Sequence, residues 1–96
     1  MSSGDRPKRI VWTEYLQYRA RTRDYDLKII EDIVQHATER YYDTGTLRMV
    51  AVGKHDKRLV LVPYDSDEDS ITPITVHATS RPQIKLRIKT GRFVHG

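Results

Sequence analysis

Three β-prone segments joined by short polar connections constrain the fold of this chain more than any other feature. They span residues 47–53, 58–65 and 70–77 and are rich in valine, isoleucine, leucine and threonine. The connections at 54–57 and 65–70 are only a few residues long. Since parallel neighbours need a crossover of about a dozen residues or more, the sequence predicts a three-stranded antiparallel meander.

Single residues add detail to this meander. Residues 59–62 are apolar at consecutive positions, which is typical of a strand that is covered on both faces. Pro73 lacks a backbone N–H, so it predicts an edge or a bulge in the third strand. Gly53 is expected to supply permissive backbone at the first turn.

The clearest helical pattern lies before the meander. Apolar residues recur there at the spacing of one helix face, at Leu27, Ile30, Ile33, Val34 and Ala37. The pattern predicts a helix over about 27–38, with its apolar stripe in the core. Asp26 precedes the stripe and is a favourable N-cap residue.

Shorter elements are predicted on either side of this helix. Residues 9–13 have a β-prone centre and predict a short strand. Thr13 is a suitable N-cap for a short helix that begins near Glu14 and ends before 24–26. Residues 41–46 contain turn-forming aspartate and glycine and are expected to be a connector.

The C-terminal part permits two interpretations. Ile84, Leu86 and Ile88 alternate with basic residues, which is a strand pattern. Thr79 or Ser80 would nevertheless cap a helix, a proline at position 82 is tolerated in a first turn, and a glycine at position 91 suits a helix end. We favour a helix over about 81–90 and keep a strand as the alternative.

These elements amount to one small α+β domain. Its expected order is a short N-terminal strand, two helices, the three-stranded antiparallel meander and a C-terminal helix. The chain has 96 residues, which is enough for one modest core. We assign residues 1–8 to a disordered lead, 9–92 to the domain and 93–96 to a terminal tail.

The charge of the chain is unevenly distributed. Residues 6–23 contain six cations and one acid, and residues 78–96 contain five cations and no acid, within a formal net charge of +4. A basic start and a basic end would form one positive face if the fold brings them together. RNA is therefore the first partner to consider.

Composition excludes several kinds of site and compartment. The chain has no cysteine, so disulfides and thiolate chemistry are excluded. No apolar run approaches the length of a membrane span, and the N-terminus lacks the apolar core of a signal peptide. We expect a cytoplasmic protein without a membrane partner, and its oligomeric state stays open.

Much of the chain resembles a known group of small proteins. The similarity covers about residues 9–92 and is carried by residues 19–23, 27–34, 48–53, 58–64 and 71–81. These segments resemble the RelE/BrnT toxin superfamily and related uncharacterised small α+β domains. The resemblance implies a compact α+β fold and, for the toxin members, cleavage of RNA and neutralisation by a partner antitoxin.

Metal-independent RNA cleavage needs a proton-transfer group and cations that stabilise the phosphorane. His77 ends the third predicted strand and Arg81 begins the next element, so we take both as candidate catalytic residues. The candidate RNA-binding residues are Arg48, Lys57, Arg58, Lys85, Arg87 and Lys89. The four histidines are too dispersed to indicate a metal, and we expect no cofactor.

Two other classes of function remain open. A non-catalytic interaction module would bind a small partner protein through a sheet edge or the basic C-terminal part. A non-enzymatic RNA-binding protein would use the same cations, with an affinity that falls steeply with salt.

Overall fold

The computed structural model describes residues 8–96, which form three helices and a mixed seven-stranded sheet. The α+β class is confirmed. Residues 1–7 lie outside the described part, and with them nearly all of the predicted disordered lead. In chain order the elements are β1 (Arg9–Ile10), α1 (Glu14–Thr22), α2 (Leu27–His36), β2 (Glu39–Asp43), β3 (Arg48–His55), β4 (Arg58–Ser66), β5 (Ser70–Pro73), β6 (His77–Ala78), α3 (Arg81–Lys89) and β7 (Phe93–His95).

The sheet is larger than the predicted meander. Its strands follow the order β1-β5-β4-β3-β2-β7, and β6 pairs with β4 beside β5. Neighbours are antiparallel except β1 and β5, which are parallel with Arg9 opposite Ser70. The predicted topology of a short N-terminal strand and a three-stranded meander is therefore wrong, because β2 and β7 also join the sheet and the third predicted strand forms two strands, β5 and β6.

Two predicted loop segments are strands in the structure. The connector expected at 41–46 is partly β2, in which Tyr41 lies opposite Val50 of β3. The tail expected at 93–96 contains β7, which pairs with β2. Phe93 is only 1% exposed, so hydrophobic burial explains why these last residues belong to the domain.

The third predicted strand is divided at Pro73. β5 ends at this residue, and the chain pairs with β4 again only at β6. A proline has no N–H to donate to a sheet ladder, which explains the break. The next residue, Ile74, still donates from its backbone nitrogen to the carbonyl of Pro63 at 2.8 Å.

The predicted helix caps are confirmed. The Thr13 hydroxyl accepts from the backbone of Leu16 at the start of α1, and the Asp26 carboxylate accepts from Lys28 at the start of α2. α2 ends at His36, slightly earlier than predicted. None of the helices in residues 8–96 has the length and apolar character needed to cross a membrane.

The C-terminal ambiguity is resolved in favour of a helix. Ser80 caps α3, Pro82 lies in its first turn, and Gly91 follows it with a φ of 81°. Among the alternating apolar residues only Ile84 is buried, and Leu86 is 60% exposed. The alternation of apolar and basic residues over 84–89 therefore does not correspond to the buried face of a strand.

The helices cover both faces of the sheet. α1 and α2 pack on one face, where the larger core contains Leu16, Ala20, Ile30, Ile33, Val34, Ala51, Val60, Val62, Tyr64, Ile71 and Val76. α3 covers the other face, where the second core contains Tyr41, Val50, Val52, Leu61, Ile84 and Phe93. Consecutive residues of β4 therefore enter different cores, which confirms the prediction for 59–62.

Gly53 has a different role from the predicted one. It lies inside β3, and a β-carbon there would be 2.8 Å from Cγ1 of Ile33. The glycine thus permits the close approach of α2 to the sheet. The left-handed residue in the following turn is Asp56, with a φ of 56°.

Candidate functional site

A cleft of about 340 Å³ lies between α3 and the sheet. We call it the α3 cleft. Its floor is apolar and consists of Val50, Leu61, Pro63 and Phe93. Its polar lining consists of Asp43, Thr46, His77, Thr79, Gln83, Arg87 and Arg92, and the apolar Ala78 also lines it.

Strand alternation places His77 in this cleft. His77 lies directly opposite Leu61 in the antiparallel pair of β6 and β4, and opposed residues share a face of the sheet. Leu61 belongs to the core beneath α3, whereas Val76 is completely buried in the core beneath α1 and α2. The imidazole therefore lies on the α3 side.

Arg19 reaches His77 from the opposite face of the sheet. Its Nη2 lies 2.9 Å from Nδ1 of His77, and its Nε donates to the carbonyl of Val76 at 3.1 Å. β6 pairs with β4 on one side, and among residues 8–96 no strand occupies its other side. A guanidinium only donates, so Nδ1 accepts and the neutral ring carries its hydrogen on Nε2.

The surroundings of His77 favour the neutral imidazole. The His77 side chain is exposed to solvent, but partial desolvation lowers its pKa below the usual value, and the charges of Arg19, Arg87 and Arg23 lower it further. Desolvation and nearby cations both disfavour the protonated, positively charged form of the imidazole. His77 is therefore neutral at pH 7 and acquires its proton only under more acidic conditions.

Arg19 and Arg87, the two cations that lower the pKa of His77 most, are available to an anion. In the part of the chain that the structure describes, neither Arg19 nor Arg87 forms an ion pair. Arg87 projects from α3, and its Cζ lies 5.4 Å from the ring centroid of Phe93. The α3 cleft thus contains a neutral histidine and Arg87, and Arg19 contacts that histidine from outside the cleft lining; neither guanidinium has a carboxylate partner among residues 8–96.

At the other end of the cleft, Arg92 is already neutralised. Its Nε and Nη2 donate to the carboxylate of Asp43, which also accepts from the backbone of Gly45 and Thr46. Burial acts to raise the pKa of Asp43, but these hydrogen bonds outweigh it and hold the pKa below its usual value. Because Asp43 is 5% exposed, this pair joins the β2–β3 turn to the C-terminal residues.

The fold does not place Arg81 beside His77, the other candidate catalytic residue. Its Nη1 donates to both carboxylate oxygens of Glu39 at 2.7 and 2.8 Å. This bond lowers the pKa of Glu39 and raises that of Arg81. Burial and Glu39 together raise the pKa of Tyr41, which also donates to Glu39, to about 12. Arg81 therefore connects α3 to β2.

A second cleft of about 470 Å³ lies beside the first. We call it the hairpin cleft, and it is lined by Lys54, Lys57, Arg58, Leu59, Ala78, Thr79, Ser80 and Arg81. Ala78 and Thr79 line both clefts. The chain segment that follows His77 therefore separates the two clefts, and Arg81 lies on the far side from His77.

The predicted RNA-binding residues are divided among several surfaces. Lys57 and Arg58 line the hairpin cleft, and Arg58 also stacks on Tyr25 at 4.4 Å. Arg48 pairs with Asp65 at 3.0 Å. Arg87 lines the α3 cleft, whereas Lys85 and Lys89 are exposed on α3 and line neither of the two clefts.

Sequence reasoning missed Arg19 as a site residue. The excess of cations in residues 6–23 identifies a basic surface. It does not identify which arginine reaches a histidine that is 58 positions away. Asp43 was interpreted as a turn residue, and its carboxylate does cap the β2–β3 turn, but its pairing with Arg92 was also missed.

Comparisons with protein-family models, curated proteins and solved structures find no match for this chain. Among residues 8–96, no three histidine, aspartate or glutamate side chains are grouped so that they could hold a metal ion. A function for the chain has to be inferred from the chemistry of the clefts, because a fold alone does not specify one.

Proposed function

We propose that this chain is a RelE/BrnT-like toxin-type domain that cleaves RNA without a metal ion, with His77 in the catalytic role. The observation that carries the proposal is the contact of Arg19 with a neutral His77 in a cleft that Arg87 also lines. A base that is neutral at pH 7, beside two guanidinium groups, suits a reaction at a phosphodiester.

The proposed reaction is an internal transfer. His77 takes the proton of a ribose 2′-hydroxyl, and that oxygen attacks the adjacent phosphorus. The bond from phosphorus to the 5′-oxygen breaks, which leaves a 2′,3′-cyclic phosphate and a 5′-hydroxyl that receives its proton from water. Arg19 and Arg87 stabilise the negative charge that develops on the phosphorane oxygens.

The position of Arg19 couples substrate binding to this proton transfer. Without substrate, its N–H occupies Nδ1 of His77. A phosphate oxygen carries negative charge and a neutral imidazole nitrogen does not, and a guanidinium binds phosphate through paired hydrogen bonds, so an RNA phosphate draws the guanidinium away from the ring. Nδ1 then becomes available as the base.

The remaining predicted cations would bind the RNA backbone. Lys57 and Arg58 border the hairpin cleft, and a strand that leaves the α3 cleft past Ala78 and Thr79 would meet them. Arg81 in this proposal is a positioning residue, because it holds the first turn of α3 against Glu39. Arg48, Lys85 and Lys89 would contribute long-range attraction.

Controlled expression in a bacterial host tests the toxin role. The wild-type chain is expected to arrest growth and to fragment cellular RNA after induction, whereas His77→Ala does neither. His36→Ala is the matched control, because His36 is an exposed histidine at the end of α2. Intact RNA and normal growth with a folded wild-type protein would contradict the proposal.

The same cations favour a second candidate, an RNA-binding protein without catalysis. Arg19 and Arg87, which have no ion pair among residues 8–96, would hold a phosphate whether or not His77 transfers a proton. In that case affinity falls steeply with salt and no product forms. Binding with undamaged RNA after long incubation would favour this candidate over the nuclease.

A further inference from the structure

The outer side of α1 carries two exposed aromatic rings. Tyr15 is 55% exposed and Tyr18 is 58% exposed, whereas Leu16 and Ala20 on the same helix are buried in the core. The two tyrosines are three positions apart, so they are neighbours on the helix surface. Rings of this size that contribute nothing to the core are available for contact with a ligand.

Arg19 connects this aromatic surface to the α3 cleft, because it contacts His77 in the cleft lining. Tyr15 and Arg19 are four positions apart and lie one above the other on α1. The guanidinium of Arg19 in turn contacts Nδ1 of His77 at 2.9 Å. The path from the rings to the imidazole is therefore about one helical turn, or roughly 6 Å along the helix axis, plus one arginine side chain.

The charges around the rings identify the kind of ligand. α1 and the residue that follows it carry Arg19, Arg21 and Arg23, and the only acid in α1 is Glu14. Aromatic faces interleaved with arginines are the combination that binds single-stranded nucleic acid, because bases stack on the rings and phosphates pair with the cations. A duplex keeps its base faces stacked inside and cannot use such rings.

We propose that Tyr15 and Tyr18 form a stacking platform for unpaired bases, so that the substrate at the α3 cleft is single-stranded RNA. The cleavage part rests on the proposed function, but the platform itself concerns binding and is tested without cleavage. In this arrangement a base stacks on Tyr15, and the neighbouring phosphate lies at Arg19 beside His77. Tyr18 extends the stack by one more base.

Binding of an uncleavable oligonucleotide tests the platform. A fully 2′-O-methylated single strand has no free 2′-hydroxyl, and its affinity is measured by fluorescence anisotropy, with a duplex of the same sequence for comparison. Each tyrosine-to-alanine change is expected to weaken single-strand binding by about tenfold to a hundredfold. Binding of the duplex is expected to be weaker in the wild type and unchanged in the variants.

Two controls separate stacking from damage to the fold. Tyr15→Phe and Tyr18→Phe keep the ring and are expected to retain the wild-type affinity. Leu86→Ala removes an exposed apolar side chain from α3 and is expected to change nothing. Thermal melting of each variant verifies that α1 still packs through Leu16 and Ala20.

The outcomes distinguish the platform from the nuclease. Unchanged single-strand affinity in the Tyr15→Ala and Tyr18→Ala double variant overturns the platform, as does a wild type that binds no oligonucleotide or prefers the duplex. Tyrosine-dependent binding of the single strand without any cleavage of ordinary RNA supports the platform and contradicts the nuclease. Cleavage of ordinary RNA at the same rate by the wild type and the double variant supports the nuclease and contradicts the platform.

Discussion

The guanidinium of Arg19 lies 2.9 Å from Nδ1 of His77, although α1 packs on one face of the sheet and the imidazole lies on the other. The contact passes around the side of β6 that no strand covers among residues 8–96. It is accompanied by a bond from Arg19 to the carbonyl of Val76 at 3.1 Å. The contact thus joins α1, on one face of the sheet, to the imidazole on the α3 face.

Replacement of Arg19 by alanine is expected to raise the pKa of His77 toward the usual value of 6.5. Arg19 contributes more than the other cations to the lowering of this pKa, and only partial desolvation contributes more. Titration of the imidazole signals by NMR measures the change. Arg21→Ala is the control, because Arg21 is exposed on α1 and does not act on this pKa. A pKa that stays the same or falls in Arg19→Ala would contradict the described contact.

The pH dependence of RNA cleavage is expected to follow the neutral form of His77. A base acts only when unprotonated, and kcat/KM reports the free enzyme, so kcat/KM rises with pH and levels off above an apparent pKa below 6.5, since the pKa of His77 in the free protein is lowered from that value. Arg87→Ala removes one of the cations that lower it and is expected to move the midpoint toward higher pH while reducing the plateau. A rate that falls as pH rises through this range would exclude His77 as the base.

The buried carboxylate of Asp43 is expected to stabilise the fold. Asp43→Ala leaves two backbone N–H groups and Arg92 without their acceptor and is expected to lower the free energy of unfolding by about 1–3 kcal/mol. Because the pKa of Asp43 is lowered, its contribution is present above the usual value of 3.8 and is lost as pH falls through the folded-state pKa.

Chemical denaturation at pH 7 and near pH 3 measures both effects of Asp43. Asp65→Ala is the control, because Asp65 is an exposed partner of Arg48 and such pairs contribute about 0–1 kcal/mol. Equal losses of stability in the two variants would show that the Asp43 pair is no more than a surface interaction.

A β-carbon at Gly53 is expected to separate α2 from the sheet. The carbon would lie 2.8 Å from Cγ1 and 3.1 Å from Cγ2 of Ile33, so Gly53→Ala is expected to cost about 1–3 kcal/mol through overpacking. The cost is expected to shrink in an Ile33→Ala background, which removes both atoms. A double-mutant cycle of unfolding free energies measures this coupling, and a coupling near zero would contradict the packing described.

Local signals in the sequence predicted the helices well. Thr13, Asp26 and Ser80 cap the helices that follow them, and each acts through a hydrogen bond within three residues. Such bonds depend on neighbouring residues alone. β7 was missed, because its pairing joins residues about 50 positions apart, such as Asp43 and Phe93. β2 was missed although it pairs with the adjacent β3, because the turn residues Asp43 and Gly45 indicate a connector.

The candidate site was predictable only where strand alternation determines it. His77 follows a buried Val76, and the alternation places it on the opposite face. The partner of His77 could not be inferred, because the position of α1 relative to β6 depends on the packing of Leu16 and Ala20 in the core. Arg81 was grouped with His77 on sequence proximity, whereas Glu39 holds it at the neighbouring cleft.

Incubation of the purified protein with end-labelled single-stranded RNA in excess chelator tests the central claim most directly. The account predicts fragments that end in a 2′,3′-cyclic phosphate, and a rate that drops by about a hundredfold to ten-thousandfold in His77→Ala but not in His36→Ala. Cleavage of equal rate in wild type and His77→Ala, or no cleavage by a folded wild-type protein, would contradict it.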